Sequence, residues 1–335
     1  MFVLLALAGW TAVGIGALWL AGMLREESRP DRVVGLLYHR VVPRELWDRF
    51  SGSERIFSIP EPHLAEQLAW LLRDGYRPIS LDQLADALRG EAALPPRALF
   101  VTFDDGCESV FLRARPILAR LGIPAAVFVT VDADAWIFRE GEYAERRMTP
   151  DEIRACADAG MQIGSHAVSH RGLDALPRAE ALAELVRSRE LLTEWCGAEV
   201  RHFAVPLNFY SEETLDLCAE AGYRSVCTSD NGTSNADTDP YRIKRFIVEG
   251  SLDLESFQQS LEPRVIVQRR LLAALKQLPP RLLGERRWMP VRERIFASRL
   301  GPWLGFGALR AALLGSAVLF LATLLGVTWA ALLSP

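Results

Sequence analysis

The chain has 335 residues, half of them hydrophobic, and a net charge of −4. That length suits one large α/β domain with extensions, and the charge argues against a general nucleic-acid binder. Five cysteines (Cys107, Cys156, Cys196, Cys218 and Cys227) form an odd set with no C-x-x-C pair, which indicates neither a zinc ribbon nor a complete disulfide framework.

The first predicted element is a helix over residues 1–24, a run without a charged side chain. At 1.5 Å per residue it is long enough to cross a hydrocarbon core of about 30 Å. It has no basic start and no A-x-A site before Arg25, so it reads as an uncleaved anchor rather than a signal peptide. Candidate strands follow at 33–39, 98–103, 125–130, 161–165, 202–206, 223–228 and 243–248, with helical patterns between most of them. Thr149-Pro150-Asp151-Glu152 is a capping box with proline at the first helical position. Residues 131–148 read as a long aromatic loop bordering the strand ends.

Strand-helix alternation over 25–262 predicts an α/β fold with a mostly parallel sheet, an irregular (β/α) barrel flanked by two transmembrane helices. Residues 263–309 form a basic connector with Leu271, Leu272, Leu275 and Leu278 at helical spacing, suited to an anionic lipid surface or to a solvated link. A second uncharged run lies within 310–333. Arg25, Arg29 and Arg32 follow the first span, and Arg281, Arg286, Arg287 and Arg310 are among the arginines that precede the second. The positive-inside rule therefore predicts an integral membrane protein with the central domain in the cytoplasm; the alternative is an extracytoplasmic domain.

In either a barrel or an open α/β sheet, sites collect at the C-terminal ends of strands. His39, Asp104-Asp105-Gly106, Ser165-His166 with His170, and the segment after Pro206 stand at four such ends. Asp-Asp-Gly alone is a common turn, but H-x-x-x-H brings two imidazoles to one side of a helical turn. Two histidines and a carboxylate make a three-ligand set that leaves positions open on a metal.

With these motifs in view, the sequence resembles the polysaccharide deacetylases, the NodB-homology domain of carbohydrate esterase family four. The resemblance rests on T-F-D-D-G (Thr102–Gly106) and S-H-x-x-x-H (Ser165–His170) and runs from about Val33 to Leu261. It implies metal-dependent hydrolysis of the N-acetyl group of an amino sugar, usually with zinc. Asp104 would be the general base, with Asp105, His166 and His170 the metal ligands. The third motif resembles Phe203–Tyr210, where the backbone N–H of Leu207 would serve the oxyanion, although Leu207 and Asn208 replace the usual aromatic and glycine. No histidine follows His202, so the usual late acid is missing. A subset with permuted motif order carries it on an N-terminal strand in a Y-H-x-V context, which Tyr38-His39-Arg40-Val41 resembles, making His39 the acid and His202 the fallback. Arg242 or Arg245 would pair with Asp104, an ordinary surface ion pair being the other reading of both. Asp230 lies in a loop that gives no firm match, and His63 reads as structural.

The expected function is deacetylation of an N-acylated sugar in a polysaccharide or lipid-linked glycan, with membrane lipids as the other partner. The alternative is a catalytically silent sugar-binding or scaffold protein of a membrane glycan-biosynthesis complex.

Overall fold

The computed structural model describes residues 2–132, 136–140 and 143–283; the predicted helix at 310–333 and the connector beyond residue 283 lie outside these. The chain divides into two units, one of residues 26–266 and one of residues 1–25 with 267–335. The second unit includes most of helix α1 (Phe2–Glu27), so the first apolar run is helical. Among the described residues no helix is long and apolar enough to cross a membrane.

The unit of residues 26–266 is built on parallel strands β1 (Val34–Tyr38), β2 (Ala98–Phe103), β3 (Ala125–Val129), β4 (Gln162–Ser165), β5 (His202–Ala204), β6 (Ser225–Cys227) and β7 (Phe246–Ile247). They lie side by side in chain order from β1 to β6, and β7 pairs with the free side of β1. Ile243, just before β7, bridges Cys227 in β6, so the half-barrel of continuous sheet is joined by a thin seam. All seven sequence-predicted strands are present, because parallel strands buried on both faces are near-continuous apolar runs that stand out in a sequence.

Strand alternation sorts the side chains into two layers. Leu99, Val101 and Phe103 of β2 pack outward in the larger core, and with them Val127 and Val129 of β3. Ala98, Phe100, Ala126, Phe128, Ala204, Cys227 and Ile243 fill the interior, closed at one end by Ile79, Leu81 and Leu84. Gly164 leaves space for this filling, since a Cβ there would stand 2.4 Å from the Phe128 ring. Burying each phenyl ring contributes roughly 1.5–3 kcal/mol.

The helices packed around the sheet and across its end have identifiable faces and ends. Helix α2 (Glu61–Arg73) buries Leu64, Leu68 and Leu71, spaced three and four apart. Helix α3 (Leu81–Leu88) and helix α4 (Pro150–Asp158) each carry a complete capping box, Ser80 with Gln83 and Thr149 with Glu152. Helix α5 (Arg178–Cys196) ends on a left-handed Gly197, and α6 (Glu212–Glu220) starts on Ser211. The helical stretch between β2 and β3 begins as a π-helical turn, Val110–Ala114, before Arg115–Leu121. Pro116 explains the widened turn, because its ring clashes with the carbonyl four residues back and it offers no N–H. Where an aromatic loop was expected at 131–148, the structure has an antiparallel pair, Trp136–Glu140 with Tyr143–Arg146. Its end is tied to the site: Arg147 bridges Cys107, and Met148 N–H donates to Gly106 O at 2.8 Å.

Candidate active site

Asp104 continues the inward face of β2 set by Ala98, Phe100 and Thr102, so its carboxylate points into the top of the barrel, where it is buried. Alternation alone would send Asp105 outward. Instead it takes φ 72°, followed by Gly106 at φ 72°, and this left-handed turn brings the second carboxylate round to the same cavity. Glycine is required at 106 on two counts: the positive φ, and Val129, whose Cγ1 would lie 2.9 Å from a Cβ.

His166 follows β4 directly and His170 closes the next turn, with Ala167 at φ 64° and His170 at φ 58°. Their rings stand 4.9 Å apart, edge to face. The Nε2 atoms of His170 and His166 lie 3.3 and 3.8 Å from Asp105 Oδ1, and the ligand atoms of the three residues fall within 4.8 Å of one another. His166 Nδ1–H donates to Ala204 O at 2.8 Å, which leaves the Nε2 lone pair aimed at the cluster. A cation bound to such donors at about 2.0–2.2 Å requires them a little over 3 Å apart, so this set fits a divalent metal with small adjustment. Burial pushes His166 down to about 4, which favours the neutral imidazole that a metal ion would need. Burial raises Asp105, but the hydrogen bond from His170 and the charges of His39, His166 and His170 prevail and hold its carboxyl well below the usual range.

Asp104 stands beside this set, 4.0 Å from His166 Nε2, and is gripped by a fully buried guanidinium. Arg245 Nη1 and Nη2 donate to its two oxygens at 2.6 and 2.9 Å; Nη1 also reaches Thr102 Oγ1 and Nε donates to Thr228 O. Burial alone would lower the Arg245 pKa, but the Asp104 charge overrides it and leaves it raised. The guanidinium also lies over the Phe128 ring at 5.1 Å, so the apolar filling of the barrel is the floor of the site.

His39, at the end of β1, is half-buried with its ring 4.9 Å from that of Phe57. Burial lowers its pKa, against the opposing charges of Asp105 and Asp104. Leu207 sits in the turn after β5 at φ 57°, with its side chain 57 % exposed.

Of the two arginines weighed for Asp104, Arg245 makes the contact. Arg242 lies outside the site and pairs with Glu212 and Asp239. His202 opens β5 at the far end of the barrel, bonded to Ser225 Oγ at 2.8 Å and Asp82 at 3.3 Å, so the geometry rules it out as an acid at this centre. His63 contacts Arg44 on the outer surface. Sequence reasoning missed Glu184 on α5, whose Oε2 accepts from the N–H groups of Val168 and Ser169 at 2.8 and 2.9 Å, clamping the loop between the two histidines. It also missed Glu145, which accepts from Ser109 N–H behind the Asp-Asp-Gly turn.

The family model described as polysaccharide deacetylase matches residues 91–226. Over this segment, less than half of the chain, the protein is similar to the polysaccharide deacetylases. The segment holds Asp104, Asp105, His166, His170 and Leu207, whereas His39 and Arg245 lie outside the matched residues. A domain of that family is a hydrolase unit acting on the amide bonds of N-acetyl sugars. A putative polysaccharide deacetylase of Bacillus subtilis, YxkH, is 21% identical over 235 residues, 70% of this chain and 78% of that one. Poly-beta-1,6-N-acetyl-D-glucosamine N-deacetylase of Escherichia coli is 28% identical over 275 residues, 71% of this chain but only 40% of its own length. The structure of IcaB from Ammonifex degensii superposes with a TM-score of 0.58 at 25% identity, covering 70% of this chain and 97% of that one.

Proposed function

We propose that this protein is a metal-dependent deacetylase, held at a membrane, that hydrolyses the N-acetyl group of an amino sugar in a polysaccharide or lipid-linked glycan and releases acetate. The observation that carries the reading is the convergence of Asp105, His166 and His170 within 4.8 Å, with the Asp104–Arg245 pair alongside. Two imidazoles and one carboxylate suit zinc. A divalent cation at these residues supplies Lewis acidity toward the acyl carbonyl and a water of lowered pKa.

The chain's own groups divide the remaining work. Asp104, aimed by the Arg245 fork, accepts the proton of the attacking water. The Leu207 N–H donates to the oxygen that gains charge as the carbonyl becomes tetrahedral. His39 gives a proton to the amine as the C–N bond breaks, which leaves the free amino sugar and acetate. The apolar runs at 1–24 and 310–333, with arginines on their inner flanks, favour a cytoplasmic domain and hence a lipid-linked glycan. Reporter fusions at residue 28 and after Pro335 test that orientation, and a cytoplasmic signal from the second would overturn it.

The chemistry is tested by incubating membranes with acetylated glycans and following loss of the acetyl group by mass spectrometry. Asp104→Asn abolishes turnover with metal still bound, whereas Asp105→Asn loses the metal. Equal metal loss in both variants would refute this division of roles.

A further inference from the structure

Leu207 and Asn208 are consecutive residues at φ 57°, a conformation that a branched aliphatic side chain rarely adopts. Strain of this kind persists only where the surroundings over-determine it. The Leu207 side chain is 57 % exposed, so its own packing does not hold the turn. What does hold it is a network rooted on the loop after β6. Asp230 Oδ1 accepts from Asn208 Nδ2 at 2.9 Å, Asp230 Oδ2 accepts from the Tyr210 hydroxyl, and Asn208 Oδ1 accepts from Ser229 N–H at 2.7 Å. Asn208 suits the task twice over, since asparagine tolerates the left-handed region and its amide can donate and accept at once. Burial and the Asp230 carboxylate both raise the Tyr210 pKa, so the phenol stays a donor.

We propose that Asp230 is a positioning residue that acts through Asn208 and Tyr210 to lock the turn presenting the Leu207 N–H to the reacting carbonyl. The role rests on the deacetylase reading above. It also explains how the turn keeps its shape without the glycine expected at 208. The network joins the end of β5 to the end of β6 and touches neither the metal ligands nor Asp104, so its loss should loosen one donor and leave the metal in place.

The test compares wild type, Asp230→Ala and Tyr210→Phe, the latter removing one hydroxyl contact in case the first variant folds poorly. Amide hydrogen exchange over residues 205–210, the cobalt(II) absorption spectrum and steady-state kinetics are read together. The expected result for Asp230→Ala is exchange faster by about 10-fold or more in that segment, an unchanged cobalt spectrum, and kcat down about 10- to 100-fold at nearly constant KM. Tyr210→Phe falls between it and wild type. Unchanged exchange overturns the network as the lock, and faster exchange with unchanged kcat overturns its link to the donor. A wild type that binds cobalt but hydrolyses no acetylated glycan overturns the deacetylase reading and with it the positioning role, while the exchange data still decide whether Asp230 holds the turn.

Discussion

Replacing Arg245 by alanine should unfold the domain more readily than any comparable change on its surface. The guanidinium is fully buried and makes two charge-assisted bonds to Asp104, at 2.6 and 2.9 Å, besides those to Thr102 and Thr228. Removing it leaves a buried carboxylate without its counter-ion, which costs about 3–5 kcal/mol, mostly as the desolvation of the orphaned charge rather than the worth of the pair. For a unit of this size that corresponds to a fall in Tm of about 6–20 °C. Arg245→Lys keeps the charge but not the planar fork, and should lose about 1–3 kcal/mol. The assay is thermal unfolding by circular dichroism on Arg245→Ala, Asp104→Ala and the double variant. Because the orphaned charge dominates the penalty, the double variant should be no less stable than Arg245→Ala alone. A single variant melting within about 2 °C of wild type, or strict additivity of the two changes, would refute the reasoning.

Other predictions follow from the same contacts. Glu184→Ala should weaken metal binding about 10- to 100-fold, measured by competition with a chromophoric chelator, because the loop between His166 and His170 loses the acceptor for two N–H groups; unchanged affinity would show that the loop holds itself. His39→Ala should lower kcat about 10²- to 10⁴-fold, and full activity would remove it as the proton donor. At the far end of the barrel, the hydrogen bond from His202 is the largest cause that lowers Asp82, against burial and with help from the charges of His202 and Arg201, from 3.8 to about 2. A depressed carboxyl pKa gives stability that is present above 3.8 and lost as pH falls toward about 2, reduced here by the partial exposure of Asp82. The urea midpoint of wild type should therefore approach that of Asp82→Asn over that window, and a gap that stays constant there would count against the linkage.

How much of this was legible in the sequence depends on whether a feature is local. Strands such as Ala98–Phe103 stand out because they are buried on both faces, and the capping box at Thr149 because it is a contact across three residues. The pair Trp136–Glu140 and Tyr143–Arg146 looks like a loop in the sequence because both runs are short, neither keeps a strict apolar–polar alternation, and only Gly141 marks a turn between them. Glu184 gave no signal at all, since it is one acidic residue among several on α5, and its use depends on which side of the helix meets the His166–His170 loop.

Arg245 is the instructive case, because the choice between it and Arg242 was written in strand parity and needed only one anchor. Ile243 faces the barrel interior, so on an extended segment Arg245 shares that face while Arg242 and Lys244 point away. The same parity shows why the adjacent aspartates needed more than a strand. Ala98, Phe100 and Thr102 carry Asp104 inward and would carry Asp105 outward; only the left-handed turn at Asp105 and Gly106 returns it to the cavity. Bringing the carboxylates of two neighbouring residues into one cavity thus depends on a backbone reversal that Gly106 permits and Val129 crowds, and even an alanine at 106 would meet both the steric wall and the disfavoured φ.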